Sequence, residues 1–321
     1  MAVIRGFQTF RLNALLGALF ALLALEAANP AYAKKGYNVW AKEQIRFLHS
    51  RVQRDAYNPQ LRLLLASAYY EDGQNKDAQE QLRKALELQP DFAEAHCNLG
   101  VILHAQSRLT EAQDHYQKAL DADSTMVEAL AGLGTLLCRT SQQQKGFFLL
   151  EKALSLDPER SKARFNLAVA YHKTEDYLKA VAHLEALLFY NAVYPGAKRA
   201  LARAYYSQGL VLLQAEQYES ALTFFDKMEE YAENDQNLYY AQGLAYLPLK
   251  RFVEAEVTFK EAVRLQPDHV PALHNLATLY DHLDRLDEAR IYYLRIGELV
   301  PHLDTIEAAR NAQYGVDYLI K

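Results

Sequence analysis

Along residues 93–124, apolar side chains fall at helical intervals: Leu99, Gly100 and Leu103, then Ala112, Tyr116 and Ala119. Spacings of three and four put each set on one helix face, so the segment predicts two helices joined by a turn at Ser107. Gly100, Ala112 and Ala119 are small where the helices cross, because a larger side chain there would push the axes beyond the ~8–10 Å of close packing. The pattern returns in six further copies, aligned on the paired small residues of the second helix. Ala78 and Ala85 mark the first copy, which turns at Gly73, and Gly146 and Ala153 mark the third. Ala180 with Leu184, Ala221 with Phe225, Ala255 with Ala262, and Ala289 with Tyr293 mark the fourth to the seventh. A two-helix unit cannot bury its apolar stripe alone, so the copies must stack. No segment alternates with period two over a useful length, and the expected class is all-α.

Prolines 90, 158, 267 and 301 close second helices, where an interior proline would cost a hydrogen bond and a clash. Asp91, Glu159 and Asp268 follow three of them and suit the start of the next helix. Thr110 and Gln113 have the spacing of a capping box. One junction is irregular. The copies recur every 34 residues, but the step from the fourth to the fifth is 41, with the excess around Leu188–Ala200 and a turn signal at Pro195-Gly196. Seven residues are about two helical turns, so flanking helices can lengthen and keep their facing. The excess reads either as a modified joint between a block of four copies (59–194) and one of three (195–301), or as a tolerated insertion. An amphipathic helix within 34–58, carrying Val39, Trp40, Ile45, Leu48 and Val52, should cover the first copy, and a helix within 302–321 the last.

The first 33 residues read as an export signal. Arg5 and Arg11 precede an uncharged apolar stretch, Leu12–Leu25, and Ala31-Tyr32-Ala33 offers a cleavage site after Ala33. That stretch would span ~21 Å as a helix, short of the ~30 Å hydrocarbon core, which favours cleavage over a retained membrane anchor. The mature chain is then expected in the periplasm or secreted. No cysteine near the cleavage site offers a lipid attachment. Net charge is −5 with no long run of like charges, which argues against a nucleic-acid ligand. Cys97 and Cys138 are the only cysteines. Their repeat positions differ by seven residues, ~10 Å of helical rise, whereas a disulfide needs Cα atoms within ~7 Å. Two free, partly buried thiols are expected.

The 34-residue period, with its alanine, tyrosine and proline positions, resembles the tetratricopeptide repeat family over about residues 59–301. The tryptophan usual at the fourth position is replaced by His96, Leu130, Tyr205, Tyr239 and Leu273. The resemblance implies a right-handed superhelix of antiparallel helix pairs, with first helices lining a concave face through positions 2, 5, 6, 9, 12 and 13. It also implies that this face receives a protein or peptide segment.

On that register position 5 of copies four to seven reads Phe165, Tyr206, Tyr240 and His274, an aromatic ladder. Position 9 adds Val169, Leu210 and Leu244, and position 12 adds Leu213 and Leu247. A solvated surface seldom carries so continuous an apolar patch unless it meets something; the alternative is packing between neighbouring first helices. Position 6 carries Asn98, Asn166 and Asn275, whose amides both donate to and accept from a ligand backbone. This is similar to the asparagine ladder of O-linked N-acetylglucosamine transferases, although asparagine is also frequent here without ligand contact. The carboxylate clamp of the chaperone-binding members is absent, since Leu63, Ser67, Glu128 and Gly132 replace four of its five residues and only Asn98 matches. Lys162, Lys173 and Arg203 make the wall locally basic. His104 and His172, two copies apart, do not make a metal site, and no phosphate loop, nucleophile elbow or catalytic triad appears. The expectation is therefore a non-catalytic, cofactor-free scaffold of the cell envelope. A membrane-anchored adaptor, or an accessory subunit of a pilus, secretion or cell-wall enzyme complex, is the alternative.

Overall fold

The structure, a computed structural model, describes residues 30–231 and 234–300. The described residues form fifteen helices and no strand. A leading helix, α1 (Pro30–Arg54), precedes seven helix pairs. These are α2 (Pro59–Glu71) with α3 (Asn75–Leu88), α4 (Ala93–Ala105) with α5 (Leu109–Ala122), and α6 (Val127–Leu137) with α7 (Gln143–Leu156). Then come α8 (Ser161–Lys173) with α9 (Tyr177–Tyr190), and α10 (Ala197–Gln214) with α11 (Tyr218–Glu229). The last are α12 (Gln236–Tyr246) with α13 (Phe252–Leu265), and α14 (Val270–His282) with α15 (Leu286–Leu299). The all-helical repeat architecture is the one the apolar spacing predicts. The expected export signal, apart from its last four residues, and the expected helix within 302–321 lie outside the described residues. No helix among the described residues is long and apolar enough to cross a membrane.

The chain divides into two compact units between Leu156 and Asp157, one copy earlier than the irregular joint. In the first unit α1 packs on α2, each hairpin packs on the next, and the first helices α2, α4 and α6 touch in succession. In the second unit the hairpins α8–α9 to α14–α15 stack in the same way, and α10 touches both α8 and α12. Ala78, Ala85, Ala112, Ala119, Ala153, Ala180, Ala221, Ala255 and Ala262 are fully buried, so the residues that set the register are those at which helices meet. Within three hairpins a fully enclosed ring sits over a glycine sixteen positions before it: Tyr116 over Gly100, Phe225 over Gly209, and Phe259 over Gly243.

Six of the seven hairpins turn in one way. Gly73, Ser107, Glu175, Glu216, Lys250 and Asp284 occupy the same repeat position with φ between 58° and 80°. The next residue then donates back five positions, as Arg108 N does to Leu103 O at 2.9 Å and Arg285 N to Tyr280 O at 2.8 Å. These bonds satisfy carbonyls that the last helical turn leaves open. The third hairpin lacks the left-handed residue and closes through Thr140 N to Leu137 O at 3.0 Å.

Helix starts differ from expectation in detail. Thr110 lies inside α5, whose N-cap is Arg108 with no side-chain bond, so the capping box does not form. Asp91, Glu159 and Asp268 stand one residue before the N-caps Phe92, Arg160 and His269, and of these only His269 accepts, from Ala272 N. The hairpin and inter-repeat turns decide where each helix begins and leave these acids in the connection. The leading helix starts at Pro30, earlier than expected, and turns Ala41 and Val52 inward. Neither cysteine forms a disulfide; Cys97 is buried, and burial pushes the half-buried Cys138 thiol up to about 11.

Candidate partner-binding site

The irregular joint builds the site. The links 89–92, 123–126, 157–160 and 266–269 between a second helix and the next first helix have four residues; here 191–196 form the link and five further residues, 197–201, extend α10 to 18 residues. Gly196 supplies the left-handed turn at φ 79°, a conformation costly for residues with a Cβ. Ala197 and Leu201, one turn apart, are fully buried and seat the extension, while Arg199 on its other side is exposed. Between α8, α9 and this extension lies a cleft of about 390 Å³. Its walls are Phe165, Ala168 and Val169 from α8 and Leu184 from α9, with Gly196 and Ala200 opposite. His172, Lys173, Arg199 and Arg203 complete the lining. The ring of Tyr194, in the link, packs at a tilt on that of Phe165, with centroids 5.3 Å apart.

The electrostatics of the cleft have one sign. Its lining contains no carboxylate, and α10 has neither an acidic residue in its first turn nor a side-chain cap. Burial holds His172 below the usual imidazole range, which disfavours a charge on the ring. Its Nε2 lies 3.3 Å from the Ser207 hydroxyl. The charge in the cleft therefore belongs to Lys173, Arg199 and Arg203. Lys162, the other basic residue noted on this wall, is exposed but does not line the cleft.

The other candidate residues continue along the first helices of the second unit. Tyr206 and Leu210 on α10, and Tyr240 and Leu244 on α12, are half-buried. The ring of Tyr206 packs at 6.1 Å on Phe225, and that of Tyr240 at 5.9 Å on Phe259, so each rests on its hairpin's enclosed aromatic. Burial pushes the Tyr240 hydroxyl up to about 12, and the proximity of Tyr206 adds to the rise. Phe165, Val169 and Asn166 on α8 are likewise half-buried.

His274 and Asn275 depart from expectation. Both are buried, at 7% and 3% exposure, and stand behind the wall. Asn275 Nδ2 donates to the Tyr240 hydroxyl at 3.3 Å, which braces that ring from α14. Neither ring nitrogen of His274 has a hydrogen-bond partner. Leu213 and Leu247 are also buried, at 9% and 2%, and belong to the packing. Asn98 lies in the first unit, where it lines a smaller cleft of about 180 Å³ with Ser67, Tyr70, Glu71 and Val101. The asparagines are therefore not equivalent: one lines a cleft, one is half-exposed and one supports a tyrosine. Sequence reasoning passed over Tyr194 and Arg199. The only signal for them was the break in period, which left both outside the 34-residue register.

Among the described residues, no group of three or more His, Cys, Asp or Glu side chains is placed to hold a metal ion. No curated protein matches the chain significantly in sequence. Among solved structures, the C-terminal part of a TPR repeat-containing protein from Cytophaga hutchinsonii is 19% identical with a TM-score of 0.53, covering 77% of this chain and 97% of that one. The structure of Naa15/Naa10 bound to HypK-THB gives 19% identity and a TM-score of 0.58, covering 79% of this chain and 39% of that one. At such identities the likeness is one of fold. Family models described as tetratricopeptide repeat match residues 63–127, 149–182, 175–238 and 246–309, more than half of the chain. The period, the seven hairpins and these matches agree, and the chain belongs to the tetratricopeptide repeat family.

Proposed function

We propose that the chain is a non-catalytic scaffold which docks a segment of a partner protein against the first-helix wall of its second unit. The observation that carries this reading is the run of half-exposed apolar side chains on successive first helices: Phe165, Val169, Tyr206, Leu210, Tyr240 and Leu244. Side chains of this kind anchor interfaces because they bury large area at little conformational cost. The enclosed rings beneath Tyr206 and Tyr240 support the reading further, since a pre-positioned ring loses little freedom on binding. In the same reading the chain works in the cell envelope, exported through residues 1–33, and helps assemble or regulate a complex there.

Two measurements test this. A partner captured from the envelope fraction is titrated against the wild type and the Tyr206→Ala/Tyr240→Ala variant, with circular dichroism confirming that the variant folds. Anchoring rings predict a loss of more than about 1 kcal/mol, roughly fivefold in affinity. Equal affinity would remove the wall from the account of binding. N-terminal sequencing of the native protein tests export, with a start at Lys34 expected; an intact Met1 in the membrane fraction would favour an anchored adaptor.

A further inference from the structure

We infer that the cleft formed by the lengthened joint is a specificity pocket for an acidic partner segment, one that inserts a large apolar side chain flanked by carboxylates. The inference rests on the docking function proposed above and adds the chemistry of what is docked.

Three observations carry it. The floor is apolar and shaped: Phe165, Val169, Ala168 and Leu184 enclose about 390 Å³, room for one large side chain with adjoining backbone. The rim is cationic: Lys173, Arg199 and Arg203 are exposed, and no ion pair ties any of them to a carboxylate among the described residues. In a chain of net charge −5, the lining of this apolar opening carries three cations and no carboxylate. Finally, the pocket exists only because of the surplus residues. Gly196, Arg199 and Ala200 lie outside the repeating register, yet they form one wall of it. An insertion serving only to connect hairpins would have no need to supply a wall and a charge.

The partner follows by complementarity. Apolar burial supplies affinity, while carboxylates facing Arg199 and Arg203 set register and exclude basic segments, because like charges at a rim are strongly disfavoured. Arginine suits this task, since its planar fork meets a carboxylate through two donors.

A displayed library of random dodecapeptides, selected on the full-length protein, tests the assignment. Parallel selections use Arg199→Glu/Arg203→Glu and Tyr206→Ala/Tyr240→Ala, and enriched peptides are synthesised and titrated by fluorescence anisotropy. Wild type should enrich peptides with an aromatic or large aliphatic residue next to Asp or Glu. These should bind the charge-reversed variant at least about tenfold more weakly, and high salt should weaken them on the wild type. The reversed variant should instead enrich Lys and Arg at the flanking positions, which a merely structural role for the two arginines would not produce. Enriched peptides that need Tyr206 and Tyr240, yet lack acids and bind the reversed variant equally, would overturn the pocket assignment and leave the docking wall standing. No enrichment on any form would remove both. Pelleting with phosphatidylglycerol vesicles that depends on the two arginines, without peptide enrichment, would give the cleft to a membrane surface and overturn the proposal.

Discussion

At the scale of single residues, the hairpin interior depends on what glycine leaves out. A Cβ added at Gly243 would lie 2.4 Å from the ring of Phe259, and that ring is fully buried with nowhere to retreat. Gly297 in α15 has nothing within 4 Å of the same added atom. The same substitution should therefore have opposite signs at the two sites. Replacing helical glycine by alanine gains about 1 kcal/mol of backbone freedom and propensity, which is all that Gly297→Ala feels. At Gly243 overpacking costs about 1–3 kcal/mol and outweighs that gain. Urea unfolding of both variants should show Gly297→Ala shifted up and Gly243→Ala shifted down. A stabilised Gly243→Ala would mean that Phe259 does not sit over that helix crossing.

At the scale of the element, six of the seven hairpins are closed by one left-handed residue, and five of those six are not glycine. An L-residue in this conformation costs about 1–2 kcal/mol, while glycine gives back about 0.5–1 kcal/mol through its freer unfolded state. Lys250→Gly should thus stabilise its turn by up to about 1 kcal/mol. Asp284→Gly should gain less, because aspartate tolerates this region better. Thermal melts of the two single variants check both the sign and the order. These turns mark the limit of what the sequence reveals. Helix pairs and register were legible because alanine and glycine recur where axes cross, and geometry allows little else there. Turn conformation was not, because Ser, Glu, Lys and Asp at φ > 0 leave no compositional mark. The caps were misplaced for a related reason: the turn, not Thr110 or Asp91, decides where the next helix begins. Phe165 and Val169 of the candidate site were readable from repeat position. A position code says which face a residue takes but not what covers it, so the burial of His274 and Asn275 stayed hidden.

At the scale of the whole molecule, four histidines, one buried and three half-buried, give stability a dependence on pH. Burial holds His115, His172, His269 and His274 below the usual imidazole range. Geometry agrees in two cases: His269 Nδ1 accepts the cap bond from Ala272 N at 3.1 Å, which protonation there would abolish, and His274 has no partner for a second proton. As pH falls through the unfolded value near 6.5, the unfolded chain takes up protons that the folded chain resists, so stability falls. Surface charge alone predicts the reverse, because a chain of net charge −5 becomes less self-repelling as it approaches its isoelectric point near 6.1. Four desolvated imidazoles should outweigh that weak, screened repulsion. The unfolding midpoint is therefore expected to drop steadily from pH 7.5 to 5.5. The carboxylates act lower down. Burial alone would raise Glu256, but hydrogen bonds from Lys260, Tyr280 and Arg285 bring it down to about 2, so its contribution is lost only as pH falls below about 4.5 toward that value. His274→Phe separates the two causes within the upper window. Removing a buried, unpartnered imidazole should raise the midpoint, since such a group costs about 1–3 kcal/mol, and should flatten its slope between pH 7.5 and 5.5. A midpoint that rises on acidification, with the variant following the same curve, would show that surface charge and not histidine burial governs this window.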